Sequence, residues 1–258
     1  MAVADASPSI FSLAGRAAFV TGAGQGLGAA IARGLCEAGA RVMLADIDDG
    51  RVQAAAAGLR DAGHEAEAIP LDVRDETFFA RGFEAAVQRF GAIDLMVNNA
   101  ALTPSTSLWD ITAGEWDEVM AVNLRGCFFG CRIAGRHMRG RGQGRIVNMA
   151  SIAGQQASPA TGAHYAASKA AIVALTRSFA QALAPHAVTV NAIAPAAVHS
   201  PVLDALDDAR RGAVQAGIPL GRFGEPAEVA AAVVYLASDA GAYTTGATLD
   251  LNGGRLMR

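Results

Sequence analysis

The stretch Phe19-Val20-Thr21-Gly22-Ala23-Gly24-Gln25-Gly26-Leu27-Gly28 decides how this chain is read. It follows an apolar run at 17–20 with the length and composition of a strand, and it leads into a helical pattern. Glycine lets the backbone turn sharply and come close to a pyrophosphate, whose charge is then met by the N–H groups at a helix start. A glycine-rich loop alone is a weak signal. The strand before it and the helix after it make this one a candidate dinucleotide loop, with Gly22, Gln25, Gly26, Leu27 and Gly28 as the candidate contacts.

Outward from the loop, short apolar runs alternate with helical stretches almost to the end of the chain. The strand candidates are 17–20, 41–45, 66–71, 93–97, 145–149, 188–192 and 248–251. Their apolar residues are consecutive, as expected when both faces of a strand are covered, and the alternation predicts a parallel sheet with helices on both faces. Thr112-Ala113-Gly114-Glu115 reads as a capping box, in which the threonine oxygen and the glutamate carboxylate both satisfy orphan N–H groups of a helix running toward Arg139. Gly39 stops the helix after the glycine loop, and Pro226 sits in the first turn of another. A long connection at 196–222, with its own helix at 203–216, follows the sixth strand, where insertions commonly cover a ligand. At 258 residues, a single domain over 13–258 is expected after a flexible lead at 1–12.

Composition narrows the function. A chain that is 52% hydrophobic and 17% charged suits tight helix–sheet packing. The net charge of −3 leaves no basic excess, which argues against nucleic acid or an anionic membrane as partner and for a small molecule. No apolar run of about 18 residues and no signal-peptide pattern occurs, so the cytoplasm is the expected compartment. Cys127 and Cys131 lie one helical turn apart but lack neighbouring His or Asp ligands; with Cys36 they read as buried small hydrophobes, and no metal is expected.

The second strand ends in Leu44-Ala45-Asp46, 18 residues past Gly28, where an acidic side chain accepts hydrogen bonds from ribose hydroxyls and repels a 2′-phosphate. With no Arg or Lys inside the glycine loop, NAD(H) is favoured over NADP(H). The alternative is that Asp46 begins a turn with Asp48, Asp49 and Gly50. Further on, His164-Tyr165-Ala166-Ala167-Ser168-Lys169 lies in a helical pattern that puts Tyr165 and Lys169 on one face. An ammonium near a phenol favours the phenolate and lowers a pKa that starts near about 10. His164 points away from that face and reads as a packing or surface residue.

These pieces occur in order with Asp72-Val73, Asn98-Asn99-Ala100, Asn123, Ser151, Asn191 with Pro195, and Leu251-Asn252-Gly253-Gly254. Over residues 13 to 254 the chain closely resembles the short-chain dehydrogenase/reductase family of the classical type. The resemblance implies an α/β, three-layer, doubly wound Rossmann fold with a seven-stranded parallel sheet of order 3-2-1-4-5-6-7. It also implies interconversion of an alcohol and a carbonyl by hydride transfer to or from the nicotinamide. Tyr165 would be the general acid/base and Ser151 would hold the substrate oxygen. Lys169 would tune Tyr165 and grip the nicotinamide ribose, and Asn123 would anchor a water relay. Asp72 and Val73 would flank the adenine and Asn99 the adenosine-side ribose. Val198 and Ser200 would meet the carboxamide, with Pro195 beside them. A homodimer or homotetramer, packed partly through the helices of Asn123 and Tyr165, is implied as well.

Three departures from the family pattern are visible. Ala101 and Ala196 stand where glycine is usual, so local changes in loop shape are expected. The segment between Ser151 and Tyr165 is longer than the commonest spacing and must bulge over 152–163, which leaves Ser158 as a second candidate for the serine. The leading function is NAD-linked interconversion of a secondary alcohol (a polyol, sugar or hydroxy acid) and its ketone. A 3-oxoacyl-(acyl carrier protein) reductase is the alternative: Arg125, Arg132, Arg136, Arg139 and Arg141 crowd one helix and would suit an acidic carrier, although Asp46 disfavours NADPH. From another class, a non-catalytic dinucleotide-binding protein is kept. His199, in the long connection, is a candidate ligand contact.

Overall fold

Side-chain alternation along the first strand sets up both faces of the sheet. A computed structural model describes residues 9–157, 160–200, 203 and 207–257. In it β1 (Ala17–Thr21) is buried throughout, with Ala18 and Val20 in one apolar layer and Ala17 and Phe19 in the other. With β2 (Arg41–Asp46), β3 (Ala66–Pro70), β4 (Leu95–Asn98), β5 (Gly144–Met149), β6 (Val188–Pro195) and β7 (Thr248–Leu251) it forms a seven-stranded parallel sheet of order β3-β2-β1-β4-β5-β6-β7. This is the expected order. It reverses between β1 and β4, and the crevice at the carboxyl ends of those strands is where ligands bind in open parallel sheets.

The helices are α1 (Gly26–Glu37), α2 (Asp49–Asp61), α3 (Glu76–Phe90), α4 (Ala113–Val119), α5 (Gly126–Arg141), α6 (Ala163–Leu183), α7 (Asp208–Ala216) and α8 (Pro226–Ala237). Ile31, Leu35, Val52, Leu59, Val233 and Leu236 bring α1, α2 and α8 onto one face, against Val20, Val42 and Leu44. On the other, Phe79, Phe83, Met138 and Ile172 bring α3, α5 and α6 against Phe19, Met96 and Ile146. Phe19 stacks on Phe79 with ring centroids 6.1 Å apart. Each such side chain contributes about 1.5–3 kcal/mol by its burial, so the two layers hold the sheet independently of the loops that will form the site.

Several expected boundaries move, each for a local reason. β6 continues to Pro195 because Ala192, Ile193, Ala194 and Pro195 pair with β7. β4 starts only at Leu95, where Asp94 accepts the Ala17 N–H through Oδ2 at 2.9 Å. The single helix expected from Thr112 is interrupted by a π-helical segment, Met120–Arg125, between α4 and α5, and α5 ends at Gly142 in the left-handed region. The capping box is half formed. Thr112 Oγ1 accepts the Glu115 N–H at 3.1 Å, but the Glu115 carboxylate turns away to accept the Thr106 hydroxyl at 2.5 Å.

Of the expected lead, residues 1–8 lie outside the described residues; Ile10, in a turn, accepts the Ala240 N–H at 3.2 Å. In the long connection Leu203 is helical and α7 follows, whereas 201, 202 and 204–206 lie outside the described residues, as does Ser158. Ala101 and Ala196 adopt no left-handed backbone: among the described residues Ala187 is the one non-glycine with positive φ. The missing glycines therefore place no strain on either loop.

A buried polar network joins the centre of the sheet to the helices. Asn98 Nδ2 donates to Asn148 Oδ1 at 2.8 Å, and Asn148 Nδ2 donates to Thr176 Oγ1 on α6 at 3.0 Å. Gly130 on α5 leaves room for it, since a Cβ there would stand 1.9 Å from Asn98 Oδ1. Asn98 is held by its bonds and cannot swing aside. Gly130→Ala should therefore cost about 1–3 kcal/mol of stability, at roughly 2–4 °C of melting temperature per kcal/mol for a domain of this size. A calorimetric melt superimposable on the unmodified protein's would contradict this account of Gly130.

Candidate active site

The residues singled out by sequence gather where the strands end. The glycine loop leaves β1 with Gly22 at φ +64°, and a Cβ on Gly22 would lie 2.8 Å from Ala100 Cα. A Cβ on Gly28 would stand 2.0 Å from the Gly22 carbonyl oxygen, so α1 starts in direct contact with the loop. Gln25 gives no side-chain cap and the first turn of α1 holds no acidic residue. The N–H groups there are left for an anion, and the cradle that side chains would fill stays open. These features fit the pyrophosphate of a dinucleotide.

Asn99 braces this cradle. Its Nδ2 donates to the Thr21 and Gly22 carbonyls, both at 3.0 Å, and the backbone N–H groups of Asn99 and Ala100 donate to Thr21 Oγ1 at 3.1 and 3.2 Å. Its amide nitrogen is thus spent on the loop instead of facing a ribose.

Asp46 begins the turn considered for it and also reaches the glycine loop. Oδ2 accepts the Gly24 N–H at 2.9 Å and Oδ1 accepts the Asp48 N–H at 3.1 Å, which begins a turn while pointing the carboxylate at the loop. Each oxygen keeps acceptor capacity for a hydroxyl. Sequence reasoning missed two neighbours. Ile47, directly after Asp46, is an apolar side chain left 63% exposed. Arg51, from α2, donates through Nη1 to Gln25 Oε1 at 2.8 Å, which brings a cation to a loop that contains none. Only the fold brings α2 there.

Asp72 is committed to Arg74: Nε donates to Oδ1 at 2.9 Å and Nη2 to Oδ2 at 2.6 Å. That guanidinium holds the Asp72 carboxyl below its ordinary pKa. Val73 packs against Gly126 at the start of α5. Val198 pairs in parallel with Gly224, but the bonds run from the His199 N–H to Gly224 O (2.9 Å) and from the Gly224 N–H to Ala197 O (3.0 Å). Val198's own N–H and C=O stay outside that pair, at the end of β6 beside Pro195. Ser200 Oγ accepts the Leu203 N–H at 3.3 Å, and His199 stacks edge-on against Phe223 with its Nε2 3.6 Å from Glu225 Oε1.

Ser151, Tyr165 and Lys169 come together beyond β5. Ser151 Oγ accepts the Ala153 N–H at 3.1 Å and opens the 3₁₀ turn Ile152–Gly154. Tyr165, in the first turn of α6, lies near the side chains of Ser151 and of Thr103, a residue no sequence pattern marked, and both pull its pKa down. Lys169, one turn on and buried, donates to the Met149 carbonyl at 2.6 Å and lies 5.6 Å from the centre of the Tyr165 ring. The expected lysine-driven lowering of the phenol does not appear. Burial pushes the Tyr165 pKa up, with Ser151 and Thr103 pulling it back. Burial also pulls Lys169 down to about 8, opposed by Cys127.

Asn123 sits on the π segment with its side chain fully occupied. Oδ1 accepts the Leu102 N–H at 2.8 Å, while Nδ2 donates to the Leu102 carbonyl at 2.9 Å and to Ser168 Oγ at 3.1 Å. It clamps the loop after β4 against α6 instead of reaching toward solvent. His164 is fully buried, not a surface residue, with Nε2 3.2 Å from Glu115 Oε1. Among the arginines, Arg132 pairs with Glu76 and lies over the Phe128 ring at 4.7 Å, and Arg141 pairs with Asp94 at 2.9 Å. The three cysteines are free and buried. Among the described residues no cluster of His, Cys, Asp or Glu is arranged to hold a metal, and no helix is long and apolar enough to cross a membrane.

The family model described as enoyl-(acyl carrier protein) reductase matches residues 22–255. The chain is 38% identical over 246 residues to 3-oxoacyl-(acyl-carrier-protein) reductase of Vibrio cholerae, covering 95% of this chain and 99% of that protein. It is 40% identical over 244 residues to cis-4-hydroxycyclohexanecarboxylate dehydrogenase of Sinomonas cyclohexanicum, covering 94% and 97%. Among solved structures it is similar to one from Beutenbergia cavernae, provisionally described as an NAD(P) dependent gluconate 5-dehydrogenase with NADP bound at low occupancy. That likeness has a TM-score of 0.90, 40% identity, and coverage of 96% of this chain and 99% of the other.

The contact between Gly28 and the Gly22 carbonyl gives a direct test of the cradle. Gly28→Ala forces the loop and the start of α1 apart, a strain of about 1–3 kcal/mol, which corresponds to roughly 10- to 100-fold weaker dinucleotide binding. Quenching of intrinsic fluorescence on titration with NADH would measure it. Equal affinity in the variant would mean that the phosphates bind elsewhere.

Proposed function

The chain belongs to the short-chain dehydrogenase/reductase family of the classical type, and on that premise we propose that it interconverts a secondary alcohol and its ketone with NAD(H). The observation that carries this reading is the convergence of Ser151, Tyr165 and Lys169 beyond the carboxyl end of β5, with Ser151 near enough to Tyr165 to lower its pKa and Lys169 5.6 Å from the centre of its ring. Members of the family bind nicotinamide dinucleotides. Gly22, Gln25, Gly26, Leu27 and Gly28 would hold the pyrophosphate, Asp46 the adenosine ribose, Asp72, Val73 and Asn99 the walls around it, and Pro195, Val198 and Ser200 the nicotinamide end. When bound, the dinucleotide supplies or accepts the hydride.

The protein's own part is proton transfer and positioning. In the reducing direction Tyr165 gives its hydroxyl proton to the carbonyl oxygen; in the oxidising direction it takes the alcohol's proton. Ser151 donates a hydrogen bond to the same oxygen and stabilises the charge that develops on it. Burial keeps Tyr165 protonated in the absence of ligand, so the phenolate needs a nearby cation. Lys169, with a pKa brought to about 8, is largely protonated at neutral pH and is the group that supplies one. Asn123 and Thr103 fix the loop over Tyr165.

NAD(H) is preferred in this reading because the Asp46 carboxylate faces the loop beside Gly24; a 2′-phosphate there would meet like charge. A polyol, sugar or hydroxy acid is the proposed substrate class, and the dehydrogenase relatives support it. A homodimer or homotetramer in the cytoplasm is the proposed assembly and setting. The second reading, a 3-oxoacyl-(acyl carrier protein) reductase, is favoured by the Vibrio relative and by Arg125, Arg136 and Arg139 on the segment whose other two arginines are paired internally. A non-catalytic binder would have no use for the proton-transfer set.

Three outcomes are expected of the first reading, and a fourth experiment separates it from the second. Tyr165→Phe lowers kcat by about 10²–10⁴-fold while the NADH dissociation constant stays within about twofold, since one hydroxyl is lost and no cradle contact; unchanged turnover would remove Tyr165 from the chemistry. NADH binds more tightly than NADPH in side-by-side titrations, and the reverse order would sink the role given to Asp46. The affinity for NADH, measured from pH 6 to 9.5, weakens as pH rises through about 8, because Lys169 loses its proton and its charge; the bend should vanish in Lys169→Met, and its persistence there would assign it to another group. Arg136→Glu with Arg139→Glu separates the second reading: a loss confined to carrier-bound substrates would favour it.

A further inference from the structure

The segment 101–106, which follows β4 and overhangs Tyr165, is attached to the protein at successive points. Asn123 holds both backbone groups of Leu102, the Thr103 side chain reaches Tyr165, and the Pro104 carbonyl accepts the Gly162 N–H at 2.9 Å. The last attachment differs in kind. Thr106 Oγ1 donates to Glu115 Oε1 at 2.5 Å, and the same oxygen lies 3.2 Å from Nε2 of the buried His164. Glu115 stands at the third position of α4, where a glutamate ordinarily turns back to the N-cap backbone. Here it forgoes that bond and reaches across to the segment.

His164 completes the arrangement by close packing. A Cβ on Gly162 would stand 2.3 Å from His164 Cε1, so the imidazole fills the space where α6 begins, one residue before Tyr165. The hydrogen bond from Thr106 and the nearby His164 both hold the Glu115 carboxyl below its usual pKa, against burial, so the carboxylate is charged at neutral pH. A charged acceptor makes the stronger bond to a hydroxyl.

We propose that Glu115 is a positioning residue: through Thr106 and His164 it latches segment 101–106 to the start of α6, and so sets the wall against which the substrate lies beside Tyr165. The latch touches neither the glycine cradle nor Asp46, and its effect falls on the alcohol or ketone and leaves the dinucleotide alone. This inference rests on the oxidoreductase reading above for its consequence, though not for its geometry.

The test uses the full chain and the variants Thr106→Val, Thr106→Ser and Glu115→Ala, with NADH as the binding probe and the best ketone from a screen as substrate. Thr106→Val and Glu115→Ala should raise KM for the ketone at least fivefold with kcat within about twofold. Thr106→Ser, which keeps the hydroxyl, should restore the parent KM, and the double variant Thr106→Val with Glu115→Ala should be no worse than Glu115→Ala alone. The NADH dissociation constant should not change in any of them. Amide hydrogen exchange at 102–106 should quicken in Thr106→Val and stay as it was in the glycine loop. A KM unmoved by Thr106→Val, a Thr106→Ser as impaired as Thr106→Val, or NADH affinity falling in step with KM would overturn the proposal. Should no alcohol or ketone be turned over, the oxidoreductase reading fails by itself, and exchange at 102–106 unchanged in Thr106→Val would then refute the latch independently.

Discussion

The carboxamide of Asn99 is the joint on which the ligand-binding edge depends. By donating to both the Thr21 and Gly22 carbonyls it ties the turn leaving β1 to the turn leaving β4, the two strands between which the sheet reverses its order. A parallel sheet leaves its carboxyl edge as a row of separate loops, and nothing in the strand ladder fixes those loops to each other. Two hydrogen bonds of about 1 kcal/mol each are a small part of the stability of the domain. Their importance is geometric: they hold the Gly22 carbonyl where Gly28 can pack on it and α1 can present unpaired N–H groups to an anion.

The same economy runs along the rest of the edge. Asn123 does for the loop over Tyr165 what Asn99 does for the glycine loop, by binding both the N–H and the C=O of Leu102. In each case a carboxamide, which carries a donor and an acceptor on one rigid plane, satisfies buried backbone groups that no strand partner can reach. Side chains expected to face ligand are partly spent in this way. The Asp46 carboxylate is shared between Gly24 and Asp48, and Asp72 is enclosed by Arg74. The edge is thus organised by the protein's own side chains, and among the described residues the start of α1, the Val198 backbone and the Ser151 and Tyr165 hydroxyls are the groups that this organisation leaves to bind and react.

Much of this was legible in the sequence. The glycine spacing, the alternation of apolar runs with helices, and Asp46 at a strand end are local signals, and they led to a parallel sheet with a dinucleotide loop and, with helical spacing, to Tyr165 and Lys169 on one face; the strand order and Ser151 came only through the resemblance of the ordered motifs to the family. What escaped was everything set by contact between distant segments. Thr103 and Arg51 carry no pattern of their own; they matter because the loop after β4 and the helix after β2 fold back onto the site. The capping box at Thr112 failed in an instructive way. Its sequence is correct for the motif, yet Glu115 meets a competing hydroxyl from Thr106, and a bond between segments replaces the local one. The phenol of Tyr165 illustrates the same limit for electrostatics. Spacing on a helix places a lysine nearby, but only the fold reveals that burial is the larger effect and that the ammonium is turned toward the Met149 carbonyl.

The π-helical segment Met120–Arg125 accommodates one residue more than an α-helix would need to connect α4 to α5. Removing a single residue here would let the helix run on without interruption, at little cost in backbone bonding. The widened turn absorbs that residue, so α5 would stay in phase with α4: Cys131, Ala134 and Met138 would keep their places in the core and Glu115 its place beside Thr106. The change would fall on the wide turn itself, which carries Asn123 and its two bonds to Leu102. Loss of the surplus residue should therefore loosen the clamp on the loop over Tyr165 while leaving both helices where they are.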